Sequence, residues 1–105
     1  MSVPLLTVIV PAYNSEDYLD RALTTLVGYG DELEAIIVND GSKDRTAQIA
    51  DEWAARYPSV RVIHQENKGH GGAVNAGLAA ATGTHVRVVD SDDWLDRRAT
   101  TAVLD

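Results

Sequence analysis

A run of acidic residues that follows a β-branched segment is the feature of this sequence best suited to chemistry. Asp90, Asp92 and Asp93 place three carboxylates within four residues, directly after residues 85–89. Like charges this close repel one another unless a cation or solvent relieves them. Carboxylate oxygens are hard donors that suit Mg²⁺ or Mn²⁺, and Asp90 and Asp92 could face one ligand. A solvated turn whose aspartates cap a following helix explains the same residues, so both interpretations stay open.

A second carboxylate, Asp40, stands in the segment Asn39-Asp40-Gly41-Ser42 at the end of another apolar run. There it could accept a hydrogen bond from the N–H of a nucleotide base or from a ribose hydroxyl. Turn chemistry explains the segment equally well, because Gly41 can supply the positive φ that a tight turn needs.

The glycine-rich segment Gly69-His70-Gly71-Gly72 leads into a stretch with helical spacing, where free backbone N–H groups could bind phosphate. It is not a dinucleotide fingerprint, because Val74 occupies the last glycine position of G-x-G-x-x-G. Close packing of a small-residue helix explains these glycines better. Lys68 could stand near phosphates or be a solvated loop residue, and Tyr13 could lie against a base. His70 shows no partner for acid–base work.

These residues need a scaffold, and the apolar pattern predicts an α/β protein with a Rossmann-like parallel sheet of about four strands. The first two apolar runs are nearly continuous, which is typical of strands buried on both faces. Ligands of an open parallel sheet bind outside the carboxyl ends of its strands, where Asp40 and Asp90 fall. The four predicted strands span residues 5–10, 35–38, 60–63 and 85–89.

Segments with helical spacing fill the intervals between these strands. We expect Ser15 to cap the first helix, Pro58 to stop the second and Gly83 to end the third, with a fourth over residues 94–104. The expected apolar stripe is Ile49, Trp53 and Tyr57 in the second helix, and Val74, Gly77, Leu78 and Ala81 in the third.

Composition limits the class of protein. A chain of 105 residues with 45% hydrophobic residues forms one domain, and the absence of cysteine excludes a disulfide scaffold and thiolate chemistry. The net charge of −7 argues against nucleic-acid binding, which needs a basic face. The sequence contains no apolar stretch long enough to span a membrane.

Four segments together resemble the inverting family 2 glycosyltransferases, which have the A-type glycosyltransferase fold. The resemblance covers essentially the whole chain, and the order and separation of the segments make it specific. Many members carry an acidic residue where this chain has Ser15. The matching segments are Val8–Asn14, Ile37–Thr46, Asn67–Gly77 and Asp90–Trp94.

The resemblance implies a role for each candidate residue. Asp40 would bond to the base, Asp90 would approach the ribose and diphosphate, and Asp92 would ligate Mg²⁺ or Mn²⁺. The other nucleotide-binding residues would be Pro11, Ala12, Tyr13, Asn14, Lys68 and Ser91.

It also implies the reaction, which is transfer of a sugar with inversion from a nucleotide-diphosphate donor, a UDP-sugar above all, to a saccharide or lipid-linked acceptor. Residues 1–105 would be the donor-binding part, with the general base beyond Asp105 and no transfer by this part alone. We expect it to self-associate and to be cytoplasmic, its parent protein lying at the cytoplasmic membrane face and building cell-surface polysaccharide. The alternative is a stand-alone module that binds a nucleotide diphosphate without catalysis.

A dinucleotide-dependent oxidoreductase is a third possibility. The absence of a glycine fingerprint after the first strand argues against it.

Overall fold

A computed structural model of the protein describes residues 3–91, in which strands and helices alternate. A single turn of 3₁₀-helix at Gly30–Glu32, which the sequence pattern did not predict, precedes the second strand. The predicted fourth helix at 94–104 lies outside the described residues, as do Asp92 and Asp93. The elements are β1 (Leu6–Ala12), α1 (Leu19–Thr24), β2 (Leu33–Asp40), α2 (Thr46–Arg56), β3 (Val60–Gln65), α3 (Gly69–Ala80) and β4 (His85–Val88).

The four strands form one parallel sheet in the order β3-β2-β1-β4. This confirms the predicted Rossmann-like class. From β1 the chain moves outward through β2 to β3, and then returns to place β4 on the other side of β1. The strand order therefore reverses at β1, and the crevice outside the carboxyl ends of β1 and β4 is where such a sheet binds ligands.

Every residue of β1 and β2 is buried, as their continuous apolar runs predict. Alternate side chains face opposite sides of the sheet. Val8 and Val10 pack in a cluster that includes residues of α1 and α2, whereas Ile9 packs with Ala73 of α3. Helices therefore cover both faces of the central strands. All four residues of the edge strand β4 are exposed.

Helix α3 lies against the sheet through its smallest residues, which corrects the predicted stripe. Leu78 is 48% exposed, whereas Ala73 and Gly77 are buried. A Cβ atom added to Gly77 would lie 2.4 Å from Cγ2 of Ile9. The helix backbone approaches β1 so closely that a side chain such as leucine has no room on this face, and Leu78 turns to solvent.

The predicted helix ends at Ser15 and Gly83 are also wrong. Helix α1 begins at Leu19 with Tyr18 as its N-cap residue and no side-chain cap, and the Ser15 hydroxyl bonds instead to Tyr13 and Ser91. Helix α3 ends at Ala80, and Ala81 is already extended. Gly83 instead donates its N–H to Oγ1 of Thr7 at 2.8 Å, in an approach so close that an added Cβ atom would lie 2.6 Å from that oxygen.

A buried carboxylate, Glu34, joins the elements at the amino ends of the strands. Its Oε2 accepts hydrogen bonds from Thr7 Oγ1 at 2.8 Å and Thr82 N at 3.1 Å, and Oε1 lies 2.5 Å from Nη1 of Arg61. Burial alone would raise the pKa of Glu34, but these hydrogen bonds outweigh it and lower the pKa. The group thus connects β1, β2, β3 and the loop before β4 as an ionised carboxylate.

Candidate functional site

A cavity of about 480 Å³ lies at the carboxyl ends of β1, β2 and β4, beside the first turn of α3. Tyr18, Asn67 and His70, which the sequence pattern did not assign to a ligand, also line it. Of the eight predicted nucleotide-binding residues, the structure places seven in its wall: Pro11, Ala12, Tyr13, Asn14, Asp40, Asp90 and Ser91.

Asp40 ends β2 and reaches this cavity as a buried residue. Its Oδ1 accepts hydrogen bonds from Nε2 of Gln65 at 2.9 Å and from the N–H of Lys68 at 2.8 Å. Burial alone would raise the pKa of Asp40, but hydrogen bonds from Gln65, Lys68 and Gly69 and the positive charge of Lys68 outweigh it and lower the pKa. An ionised, fixed hydrogen-bond acceptor therefore faces the cavity.

Lys68, the eighth predicted nucleotide-binding residue, does not line the cavity and contacts its wall through Asp40. Its backbone N–H binds Asp40, and its stem packs under the first turn of α3, where a Cβ atom on Gly72 would lie 2.5 Å from Cβ of Lys68. Of the three glycines at the start of α3, Gly72 has the packing role that we favoured. Gly69 instead has a positive φ of +80°, and a Cβ atom on Gly69 or Gly71 would meet nothing within 4 Å.

The turn after Asp40 requires its glycine. Gly41 has φ +74°, and a Cβ atom there would lie 2.7 Å from the backbone nitrogen of Asn67. Asn67 in turn donates from Nδ2 to the carbonyl oxygen of Asp40 at 3.1 Å. The turn interpretation and the acceptor interpretation of this segment are therefore compatible, because the turn holds the Asp40 carboxylate in the cavity wall.

The loop after β1 is attached to the loop after β2 at several points. Asn14, whose φ is +47°, donates its N–H to Oγ of Ser42 at 3.0 Å and accepts the N–H of Lys43 at 2.8 Å. The N–H of Ser15 donates to Oγ1 of Thr46 at 2.7 Å. These bonds hold the loop after β1, which lines the cavity, against the loop after β2.

Asp44 extends this attachment. Its carboxylate accepts the N–H of Thr46 at 2.8 Å and the N–H of Glu16 at 3.2 Å. Burial alone would raise the pKa of Asp44, but the hydrogen bonds from Thr46 and Glu16 outweigh it and lower the pKa.

Ser15 reaches across the cavity to the segment after β4. Its Oγ lies 2.5 Å from Oγ of Ser91, and both residues are buried. Ser15 donates its hydroxyl hydrogen to the carbonyl oxygen of Tyr13 at 3.1 Å, so Ser91 must donate to Ser15. Ser15 thus holds the side chain of Ser91, the residue next to Asp90.

His70 and Asp90 form the other contact across the site. Nε2 of His70 lies 2.8 Å from Oδ1 of Asp90, and their side chains are 65% and 51% exposed. The sequence pattern showed no partner for His70 because Asp90 lies 20 residues further along the chain. Only the return of the chain to β4 beside β1 brings the two together.

The chemistry of the Asp90 end fits a hard divalent cation. Asp90 presents a half-exposed carboxylate beside the Ser91 hydroxyl, and oxygen donors of this kind suit Mg²⁺ or Mn²⁺. Within residues 3–91, no cluster of three or more histidine or acidic side chains forms a complete metal site. The predicted ligand Asp92 lies outside that range.

A second cavity, of about 450 Å³, opens at the opposite end of the sheet near Glu34, Arg61 and Tyr57. The Glu34 carboxylate there already accepts hydrogen bonds from Arg61, Thr7 and Thr82, and Asp31 is the other acidic residue of the lining. The carboxyl-end cavity is the better candidate for a ligand, because open parallel sheets bind ligands at that end.

The sequence matches a known protein family over nearly its whole length. The profile of glycosyl transferase family 2 matches residues 7–105. The chain belongs to this family. The uncharacterized glycosyltransferase EpsJ of Bacillus subtilis strain 168 is 42% identical over 94 residues, which are 89% of this chain and 27% of EpsJ.

Solved structures show the same fold for this part of the family. S. aureus TarS 1–349 in complex with UDP-GlcNAc superposes with a TM-score of 0.83 and 33% identity, over 92% of this chain and 29% of TarS 1–349. The mannosyltransferase PcManGT from Pyrobaculum calidifontis, in complex with GDP-Man and Mn²⁺, gives a TM-score of 0.80 and 30% identity, over 95% of this chain and 31% of PcManGT. The chain spans less than a third of the length of each of these three relatives.

Proposed function

We propose that this chain is the donor-binding part of an inverting glycosyltransferase, which transfers a sugar from a nucleotide diphosphate to an acceptor hydroxyl. The observation that carries this proposal is the cavity at the carboxyl ends of β1 and β4, which gathers the Asp40 and Asp90 carboxylates with the Tyr13 ring. Relatives of matching fold hold UDP-GlcNAc or GDP-Man, which supports a nucleotide sugar as the ligand.

The base of the nucleotide would lie at the Asp40 end. The lowered pKa of Asp40 keeps its carboxylate ionised, and an ionised carboxylate accepts a strong hydrogen bond from a base N–H. Tyr13 is 50% exposed on the cavity wall and offers its ring for stacking. The wall is completed by Pro11, Ala12 and Asn14.

The diphosphate would lie toward Asp90 and Ser91, which line the cavity. Lys68, whose positive charge acts on Asp40, would contact the nucleotide from the Asp40 end. Asp92, with Asp90 nearby, would hold the cation in an Asp-x-Asp arrangement. When bound there, Mg²⁺ or Mn²⁺ would neutralise charge on the departing diphosphate. The choice between the two metals, and of a UDP-sugar as donor, rests on the family resemblance.

The acceptor side of the reaction would lie outside this part of the protein. A carboxylate beyond Asp105 would deprotonate a saccharide or lipid-linked acceptor, and residues 1–105 alone would transfer no sugar. The small share of each relative that the chain spans supports this division. In the same proposal the protein builds cell-surface polysaccharide from the cytoplasm, its parent lying at the membrane face. No helix in the described part of the chain is long and apolar enough to cross a membrane.

Self-association of the 105-residue chain is part of this proposal. Val86 and Val88 of the edge strand β4 are 38% and 42% exposed. Exposed strand edges with apolar side chains pair readily with another chain. Size-exclusion chromatography with light scattering should show a dimer or larger species, and a strictly monomeric chain would contradict the proposal.

A thermal-shift panel tests the nucleotide proposal. UDP, GDP, dTDP and NAD are added with Mn²⁺ or with EDTA, and UDP with Mn²⁺ should give the largest rise in Tm. NAD is the matched control, because an oxidoreductase would respond to it and this site should not. If none of the four nucleotides raises Tm under either condition, the cavity does not bind nucleotides and the proposal fails.

The thermal-shift panel measures binding only, so a turnover assay must distinguish a glycosyltransferase from a binding module without catalysis. The chain extended by the family's C-terminal part should consume donor when a matching acceptor is supplied. An extended protein that binds UDP but consumes no donor over a broad acceptor set would favour the stand-alone binding module.

A further inference from the structure

A line of side chains leads from the surface of α2 to the turn that carries Asp40. Oδ1 of Asp51 lies 2.8 Å from Nε2 of His64, and Nδ1 of His64 lies 3.0 Å from Nδ2 of Asn39. Oδ1 of Asn39 accepts the N–H of Ser42 at 3.1 Å. The inner end of this line is buried, since Asn39 is 6% exposed, whereas the side chains of His64 and Asp51 are 43% and 64% exposed.

The backbone decides which atom donates at each step. The N–H of Ser42 can only donate, so Asn39 must present its oxygen to Ser42 and its NH₂ group to His64. An NH₂ group can only donate, so Nδ1 of His64 must carry a lone pair. In the neutral ring the hydrogen then resides on Nε2, which donates it to the Asp51 carboxylate. One form of the ring, the neutral Nε2–H tautomer, satisfies every bond.

We propose that His64 is a positioning residue for the nucleotide site, which in this tautomer orients the Asn39 amide and so fixes the turn Asp40–Ser42. The effect of His64 on nucleotide binding rests on the proposed function, whereas its effect on the turn is independent of that function. Oγ of Ser42 accepts the N–H of Asn14, so the orientation of Asn39 also reaches the loop after β1. Both loops that line the base end of the cavity thus depend on one imidazole outside it.

The hydrogen bond between His64 and the buried Asn39 accounts for most of the effect on the turn. Asp51 and the outer edge of the His64 ring are in contact with solvent, and exposed polar pairs contribute little. A buried amide that loses its acceptor pays the cost of an unmade hydrogen bond and is free to rotate. Asn39 is therefore the residue whose orientation the ring must hold.

Two substitutions of His64 separate the ends of the ring. In His64→Asn the side-chain oxygen lies near the position of Nδ1 and can accept from Asn39. In His64→Gln the side-chain nitrogen lies near the position of Nε2 and can donate to Asp51. We expect the asparagine variant to behave like the parent protein and the glutamine variant like His64→Ala, although glutamine is closer to histidine in size.

The first readout needs no nucleotide. NMR of the histidine ring nitrogens near neutral pH should show the Nε2–H tautomer for His64, and Asn39→Asp, which replaces the donor by an acceptor, should place a hydrogen on Nδ1. Hydrogen exchange of the Ser42 amide should accelerate about tenfold in His64→Gln and stay unchanged in His64→Asn, as expected for loss of one hydrogen bond. A ring with a hydrogen on Nδ1 in the parent protein, or equal exchange in the two variants, would overturn the proposal.

The second readout is UDP affinity by calorimetry. His64→Gln should weaken UDP binding about fivefold, whereas His64→Asn and Asp51→Ala should each weaken it by less than about twofold. Equal UDP affinity in all four proteins, with the exchange difference present, would overturn the link to the nucleotide and leave the turn assignment standing. Failure of the parent protein to bind UDP would instead overturn the proposed function, and the exchange result would still decide whether His64 holds the turn.

Discussion

Nε2 of His70 and Oδ1 of Asp90 lie 2.8 Å apart and join the first turn of α3 to the end of β4 across the candidate site. Both side chains are more than half exposed, so the pair contributes at most about 1 kcal/mol to folding. The main effect of the contact is to orient the Asp90 carboxylate. The imidazole holds the carboxylate at the cavity wall, where a nucleotide or its cation would meet it.

Removal of this contact should weaken metal-dependent binding without loss of the fold. His70→Ala should lower the affinity for UDP in the presence of Mn²⁺ by about fivefold, the value of one hydrogen bond. His70→Gln, which retains a donor near the position of Nε2, should restore most of the affinity. Calorimetry measures the affinities, and urea unfolding should give free energies that differ by at most about 1 kcal/mol among the three proteins. Equal affinities for the alanine and glutamine variants would show that His70 does not orient Asp90.

Asp40 should matter to nucleotide binding with or without metal. Asp40→Ala removes the fixed acceptor, and the loss of a charged hydrogen bond predicts UDP binding about tenfold to hundredfold weaker. Asp31→Asn, at the opposite end of the sheet, is the control acid and should bind UDP like the parent protein. If Asp40→Ala binds UDP as the parent does, the segment is a turn and nothing more.

The lowered pKa of Glu34 predicts the direction of the acid response. Its ordinary value is 4.5, and the folded value is lower, so the unfolded chain binds a proton at higher pH than the folded one. The stability from the ionised group is complete above that ordinary value and is lost as pH falls through the folded pKa. The pKa values of Asp40 and Asp44 are lowered too and add losses of the same sign.

Glu34→Gln should therefore flatten the acid part of the stability curve. It should also lower the free energy of unfolding near neutral pH by about 1–3 kcal/mol, because Arg61 and the threonines lose a charged acceptor. Urea unfolding over a series of pH values measures both effects. If the free energy of unfolding of the variant falls with acid pH as steeply as that of the parent protein, groups other than Glu34 cause the acid response.

Two glycines of α3 give a matched test of how closely the helix approaches the sheet. Gly77→Ala places a Cβ atom 2.4 Å from Ile9 and should destabilise the fold by about 1–3 kcal/mol. Gly71→Ala meets nothing within 4 Å and should stabilise the helix by about 0.5–1 kcal/mol. Chemical unfolding measures both. A neutral Gly77→Ala would mean that α3 lies further from β1 than the structure shows.

Sequence reasoning succeeded where local pattern decides the structure. The continuous apolar runs of β1 and β2 identified the two buried strands, and the polar residues at their ends identified most of the cavity wall. The positive φ of Gly41 follows from turn chemistry in the same way. Family resemblance then ordered these weak signals into one fold, which the comparisons confirm.

It failed where the structure depends on contacts distant in sequence. The Ser15 hydroxyl looks like a helix cap until Ser91, 76 residues later, is placed beside it. Leu78 looks like a core residue until the close approach of Gly77 to Ile9 is known. The partner of His70 is likewise invisible along the chain. The spacing of apolar residues predicts which face of a helix or strand is buried. It does not predict which side chain, distant in the sequence, packs against that face.

The cavity at the carboxyl ends of β1 and β4 is proposed to bind a nucleotide diphosphate together with a divalent cation. The most direct measurement is calorimetric titration of UDP into the 105-residue chain and its Asp92→Ala variant, each with Mn²⁺ and with EDTA. The parent chain should bind UDP more tightly with Mn²⁺, and at about 100 times the Kd its Tm should rise by on the order of 10 °C. The Asp92→Ala variant should lose the Mn²⁺ enhancement. Equal UDP affinity with Mn²⁺ and with EDTA in the parent chain would contradict the account.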